Sequence, residues 1–166
     1  MNPRLIAAFV LTAAAFPLPA QNPDWKQLEF VLGKWTGAAD EKGTQTGPGQ
    51  GGCSFELDLN KKIIVRRNAA SYDSGVTHDD LMVMYLDGGM RAIYFDTEGH
   101  TIRYNITVPS ANRAVFESDG AQAGPKYRLS YWLDGALLVV RFEIAPPGGE
   151  YKIYAGGKLK RDNPRR

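Results

Sequence analysis

From Lys34 onward the chain alternates apolar and polar side chains with a period of two, broken every few residues by glycine, proline, asparagine or aspartate. That pattern is written for β-strands, because successive side chains on a strand point to opposite faces and these residues build the turns. Strands are expected at about Lys34–Ala39, Gly52–Leu59, Lys62–Ala70, Asp80–Asp87, Met90–Asp96, Thr101–Val108, Arg113–Ser118, Lys126–Leu133, Ala136–Ile144 and Tyr151–Lys160. The connections are short, such as Asp87-Gly88-Gly89, Glu98-Gly99, Asp134-Gly135 and Pro146-Pro147-Gly148-Gly149. None has room for a crossover helix, so neighbours must be antiparallel. About ten strands in simple succession would leave two bare edges in an open sheet, and closing them into an up-and-down β-barrel removes both. Ahead of the strands, Asp24–Leu32 follows Pro23 and stops at Gly33, which suits a short helical turn. The expected fold is therefore all-β, an up-and-down antiparallel barrel opened by a short N-terminal helical turn.

Hairpin register sorts the side chains. Taking Asp134-Gly135 as a two-residue loop pairs Leu133 with Ala136 and places Tyr127, Leu129, Tyr131, Leu138, Val140 and Phe142 on one face. Arg128, Ser130, Arg141 and Glu143 take the other. Treating Gly88-Gly89 and Glu98-Gly99 in the same way groups Met82, Met84, Leu86, Ile93, Phe95, Ile102 and Tyr104, and puts Tyr94, Asp96, Arg103 and Asn105 on a solvated wall. One buried face per hairpin predicts an apolar, aromatic interior. Arg91, paired by this register with Leu86, is then a cation at the rim of the apolar face.

The first twenty residues read differently. Met1–Arg4 carry one positive charge, Leu5–Phe16 are apolar, and Pro17 to Ala20 follow. This is the pattern of a secretory signal peptide cleaved after Ala20, and its apolar run is shorter than the about 20 residues a span requires. The mature domain is expected to be residues 21–166, periplasmic or secreted. A formal charge of +2 over 166 residues points to neither nucleic acid nor an anionic membrane, and the basic run Lys158, Lys160, Arg161, Arg165 and Arg166 reads as a solvated tail. The lone Cys53 has no partner for an internal disulfide and no neighbouring cation to activate it, so it is expected to be a small packed side chain.

The segment Phe30-Val31-Leu32-Gly33-Lys34-Trp35-Thr36-Gly37, a helical turn running into a G-x-W-x-G strand, resembles the opening of lipocalin-like barrels of the calycin group. The chain is most similar to small bacterial lipocalin-like proteins of uncharacterised function, through His78–Met82, Ile93–His100 and Tyr151–Leu159, and more distantly to nitrobindin-type barrels. The first resemblance implies that Trp35 closes one barrel end against the helical turn. The second implies a haem held by a final-strand histidine, but here that strand has none, leaving Tyr151 or Tyr154 as the alternative axial ligand.

Other constellations are sparse. His78-Asp79-Asp80 and Asp96, Glu98 and His100 have metal-ligand or acid–base chemistry, but consecutive strand residues face opposite ways and such residues also form solvated turns. No nucleophile elbow, metalloprotease motif or dinucleotide fingerprint occurs, and Gly47–Gly52 lacks the lysine and helix of a phosphate loop, so it reads as a flexible loop at a barrel mouth. Asn105-Ile106-Thr107 matches a glycosylation acceptor within a strand. No catalytic residue, metal or cofactor is assigned. The leading expectation is a noncatalytic barrel binding a small apolar or amphipathic molecule through Trp35, Met84, Phe95, Tyr104, Tyr127, Tyr131 and Phe142, with Arg91 as polar anchor. The alternatives are a filled barrel contacting a partner through Arg128, Arg141 and Glu143, and a hydrolase or isomerase using His100 with Asp96 or Glu98. Ligand identity and oligomeric state are left open.

Overall fold

The computed structural model describes residues 24–39, 42–120 and 124–162. The signal-peptide expectation for residues 1–20 and the tail residues Arg165 and Arg166 lie outside them. A short 3-10 helix, Lys26–Val31, precedes ten strands: β1 (Gly33–Ala39), β2 (Gly49–Asp58), β3 (Ile63–Tyr72), β4 (Thr77–Leu86), β5 (Met90–Asp96), β6 (Thr101–Ser110), β7 (Arg113–Ser118), β8 (Lys126–Asp134), β9 (Leu137–Ala145) and β10 (Lys152–Arg161). Every strand pairs antiparallel with its sequence neighbour, and β1 pairs with β10, closing an up-and-down barrel as the strand pattern requires. The described residues include no helix long and apolar enough to cross a membrane.

The closing seam is built from glycine. At Gly37 on β1 and Gly157 on β10 the two backbones run so close that a Cβ on either glycine would collide with a carbonyl of the other strand, Lys158 or Ala38 respectively. Gly49, Gly51 and Gly52 are likewise packed into β2 against the backbones of β1 and β3, so the glycine-rich segment is strand from Gly49 rather than flexible loop. Glycine lets sheets bend and backbones approach where a barrel must turn its corner. Cys53 lies in the same strand, and burial pushes its thiol up to about 11, the behaviour of a packed rather than a reactive cysteine.

The barrel is filled at one end and hollow at the other. Under the helical turn, Leu28, Val31, Trp35, Phe55, Ile64, Met82, Met84, Phe116 and Tyr131 are almost completely buried. Their rings meet edge to face, Phe55 on Tyr131 at 5.2 Å and Phe116 on Tyr131 at 5.7 Å between centroids. Trp35 donates its indole N–H to the Val31 carbonyl at 2.8 Å, tying the helical turn to the barrel floor, and Arg161 lies 4.1 Å over its ring. Arg161 therefore ends β10 as a buttress and is no part of a solvated tail.

Register differences from the sequence expectation at β8–β9 and β4–β5 have opposite consequences. In the β8–β9 hairpin Leu133 pairs with Leu138 and Arg128 with Glu143, a slip of two residues that leaves every side chain on its expected face. At β4–β5 Leu86 pairs with Met90 around a three-residue Asp87-Gly88-Gly89 turn, a slip of one that inverts β5. Phe95 is consequently on the outer surface, 43% exposed, and Arg91 also points outward, where its guanidinium bonds Asn105 and the Asp87 carbonyl. Neither faces the interior. In their place β5 turns Ala92, Tyr94 and Asp96 inward.

Candidate functional site: a polar-walled cavity in the hollow half

The open half of the barrel encloses a cavity of about 410 Å³, within the range of small-molecule sites. Tyr104, Tyr127 and Phe142 of the expected lining residues face it, whereas Trp35, Met84 and Tyr131 belong to the packed half beside it. One wall is apolar: Leu129 and Tyr127 from β8, Val140, Phe142 and Ile144 from β9. Tyr127 and Phe142 stack in parallel at 6.0 Å, and Tyr154, at a β-bulge between Ile153 and Ala155, closes edge-on against Phe142. Tyr151 is outside, under the Arg128 guanidinium.

The opposite wall carries charge, which the expectation of an apolar interior missed. Its residues come from alternate positions on three adjacent strands: Arg66 and Asn68 on β3, His78 and Asp80 on β4, Tyr94 and Asp96 on β5, with Glu98 and His100 from the following turn. The two-residue spacing makes this possible, since i and i+2 share a face. Asn68 pairs with Asp80 and Asp80 with Asp96, so the polar positions stack across the sheet.

Asp80 is the hub. Its carboxylate, 3% exposed, pairs with Arg66, accepts the Asn68 amide N–H at 2.9 Å and lies 3.3 Å from His78 Nε2. Though burial opposes it, Asp80 holds the Arg66 guanidinium even more firmly charged than usual. His78 is clamped at both ends, Nδ1 3.0 Å from Glu98 and Nε2 2.9 Å from the Tyr94 hydroxyl. Tyr94 reaches on to Asp96 at 3.3 Å, and Asp96 accepts both the backbone N–H and Nδ1 of His100 at 2.8 Å. Burial pushes the Tyr94 hydroxyl well above its usual range, so it remains a proton donor. Burial also pushes Asp96 up, but the His100 bonds outweigh it and hold the carboxyl below its ordinary value.

The hydrogen bond with Asp80 raises His78 to about 9 in spite of partial burial, and Glu98 adds to it. A folded-state value above the ordinary 6.5 means that folding takes up the proton, so this stabilisation is complete below about 6.5 and is lost as pH rises through about 9. Wild-type protein should therefore show a thermal midpoint that declines across that window, and His78→Gln should show a shallower decline. Scanning calorimetry over the same pH range checks it, and parallel curves for both proteins would contradict it.

The cluster also has coordination chemistry. One ligand atom each from His78, Asp96 and Glu98 lies within 4.8 Å of the other two, and Asp80 behind His78 is placed to orient the ring. His100 Nδ1 is already engaged by Asp96 and its ring is 61% exposed, which makes it a rim group. On the outer wall of β7–β9, Arg128 forms a two-pronged pair with Glu143 at 2.7 and 2.8 Å. Arg113 and Arg141 flank Trp132 at 5.5 and 5.3 Å. The signal for the polar wall was present in the sequence as His78-x-Asp80, on the face of β4 that also holds Met82, and as Asp96-x-Glu98-x-His100, but the inward direction of Asp96 needed the true β4–β5 register.

Neither comparison with protein-family models nor comparison with characterised proteins finds a match for this chain. The closed ten-stranded barrel is compatible with the calycin-like fold that the Trp35 motif suggests.

Proposed function

We propose that the chain is an exported, lipocalin-like binding protein that holds a small amphipathic molecule in the hollow half of its barrel. The observation that carries this is the opposition of two walls across one cavity, stacked Tyr127 and Phe142 against the Asp80-centred polar network. A wholly apolar ligand would leave that network facing hydrocarbon, and a wholly polar one would strip water from its own surface without return along β8 and β9. An amphipathic ligand matches both walls. The filled end supplies rigidity, since Trp35 and Tyr131 fix the floor while the site above stays open.

Native mass spectrometry of the protein purified from the cells that make it, beside a denatured sample, tests the proposal. A mass excess that vanishes on denaturation is expected. Val140→Phe, which pushes a ring from β9 into the cavity, should reduce ligand uptake about tenfold or more while changing stability by no more than about 1 kcal/mol. No mass excess together with unchanged uptake of added amphiphiles in Val140→Phe would overturn it.

A further inference from the structure

Two donors at the cavity floor have no partner among the described residues. Arg66 and Tyr104 both line the cavity at its deep end, 4% and 2% exposed, yet neither Arg66 Nε nor the Tyr104 hydroxyl makes a hydrogen bond. Buried polar groups are almost always satisfied, and those that are not call for an explanation. Arg66 uses Nη1 on Asp80 and keeps Nε–H, which can only donate. Whatever completes this floor must therefore offer an acceptor. We propose, resting on the cavity-binding function above, that the ligand carries an uncharged carbonyl-type oxygen, as in a ketone, ester or amide, and seats it at the floor against Arg66 and Tyr104.

The charge on the wall selects an uncharged group. Asp80 already matches Arg66, and Asp96 and Glu98 add two more carboxylates around the His78 ring. A ligand carboxylate would enter a wall where negative groups already outnumber Arg66 and His78, losing its hydration on the way. A carbonyl accepts the same hydrogen bonds without bringing charge. Its apolar remainder then lies along Leu129, Val140 and the stacked Tyr127–Phe142 pair. Tyr131 provides an internal control: its hydroxyl is also buried without a partner, but it sits in the packed half and does not line the cavity.

Calorimetric titration of the full chain with three probes of similar size provides the test: benzylacetone, the alkene in which a methylene replaces its carbonyl oxygen, and hydrocinnamate. Benzylacetone should bind about tenfold tighter than the alkene, the scale of one well-made buried hydrogen bond, and tighter than hydrocinnamate. Tyr104→Phe should reduce the ketone-to-alkene ratio about threefold or more with alkene affinity unchanged. Tyr131→Phe should leave the ratio alone. Removing an unpartnered hydroxyl does not threaten the fold, so both variants are informative. Equal affinity for ketone and alkene, preference for hydrocinnamate, or a ratio untouched by Tyr104→Phe would overturn the carbonyl proposal while leaving the cavity function standing. Binding of none of the three would overturn both.

Discussion

Asp80→Ala is expected to destabilise the protein by about 3–5 kcal/mol, the cost of leaving one member of a buried ion pair without the other. Arg66 is 4% exposed and its Nε already lacks a partner, so removing the carboxylate would strand the whole guanidinium in the barrel interior. Asn68 and His78 would lose an acceptor at the same time. The pair itself is not what stabilises the fold. Two charges taken from water repay little more than their own dehydration, and apolar groups of similar volume often do as well or better. The double variant Arg66→Met with Asp80→Leu should accordingly recover most of the loss. Urea unfolding of the wild type, the single variant and the double variant decides the matter. A single-variant loss under about 1 kcal/mol, or a double variant no better than the single, would show that water or rearrangement shields this interior from the expected penalty.

Trp35→Ala should be comparably damaging, at about 3–5 kcal/mol, because a large ring leaves a well-packed region that cannot collapse around the void. Trp35 is 1% exposed, anchors the Val31 carbonyl through its indole N–H and lies under Arg161, whose guanidinium also reaches the Phe30 and Leu32 carbonyls. One substitution thus loosens the helical turn, the floor and the end of β10 together. Tyr127→Ala, on the half-buried wall of the cavity, should cost clearly less, since its ring already borders open space. Denaturant titration of the two variants side by side measures the difference between the filled and hollow halves. Equal losses would mean that the cavity wall is as tightly supported as the floor.

The hairpins separate what local sequence determines from what it leaves open. The sequence suggests a two-residue loop at each turn. At β8–β9 the actual register differs by two positions, an even number, and Tyr127, Leu129, Tyr131, Val140 and Phe142 still face inward. At β4–β5 and β5–β6 it differs by one. The two odd slips cancel for β6, which is why Ile102 and Tyr104 face the interior as expected, but β5 between them is inverted. Phe95 and Arg91 went outside for that reason, and Tyr94 and Asp96 came in. The same inversion conceals the polar wall in the sequence, because His78 and Asp80 read as turn residues when no inward-facing Asp96 stands opposite them.

Some features needed nothing beyond the chain. Ten period-two stretches, short glycine-rich turns and the absence of crossover lengths dictate an antiparallel up-and-down barrel, since hydrogen-bonding geometry and strand periodicity are local properties. Trp35 at the closed end is what the resemblance of its local motif to lipocalin-like barrels implies. Tertiary structure alone decided that one half of the barrel is filled and the other hollow, and that Arg66, Asp80, His78 and Asp96 share the hollow half. The physical reason is that facing is set by parity. A single residue added to a turn reverses every side chain on the strand that follows, while the alternation visible in the sequence stays the same.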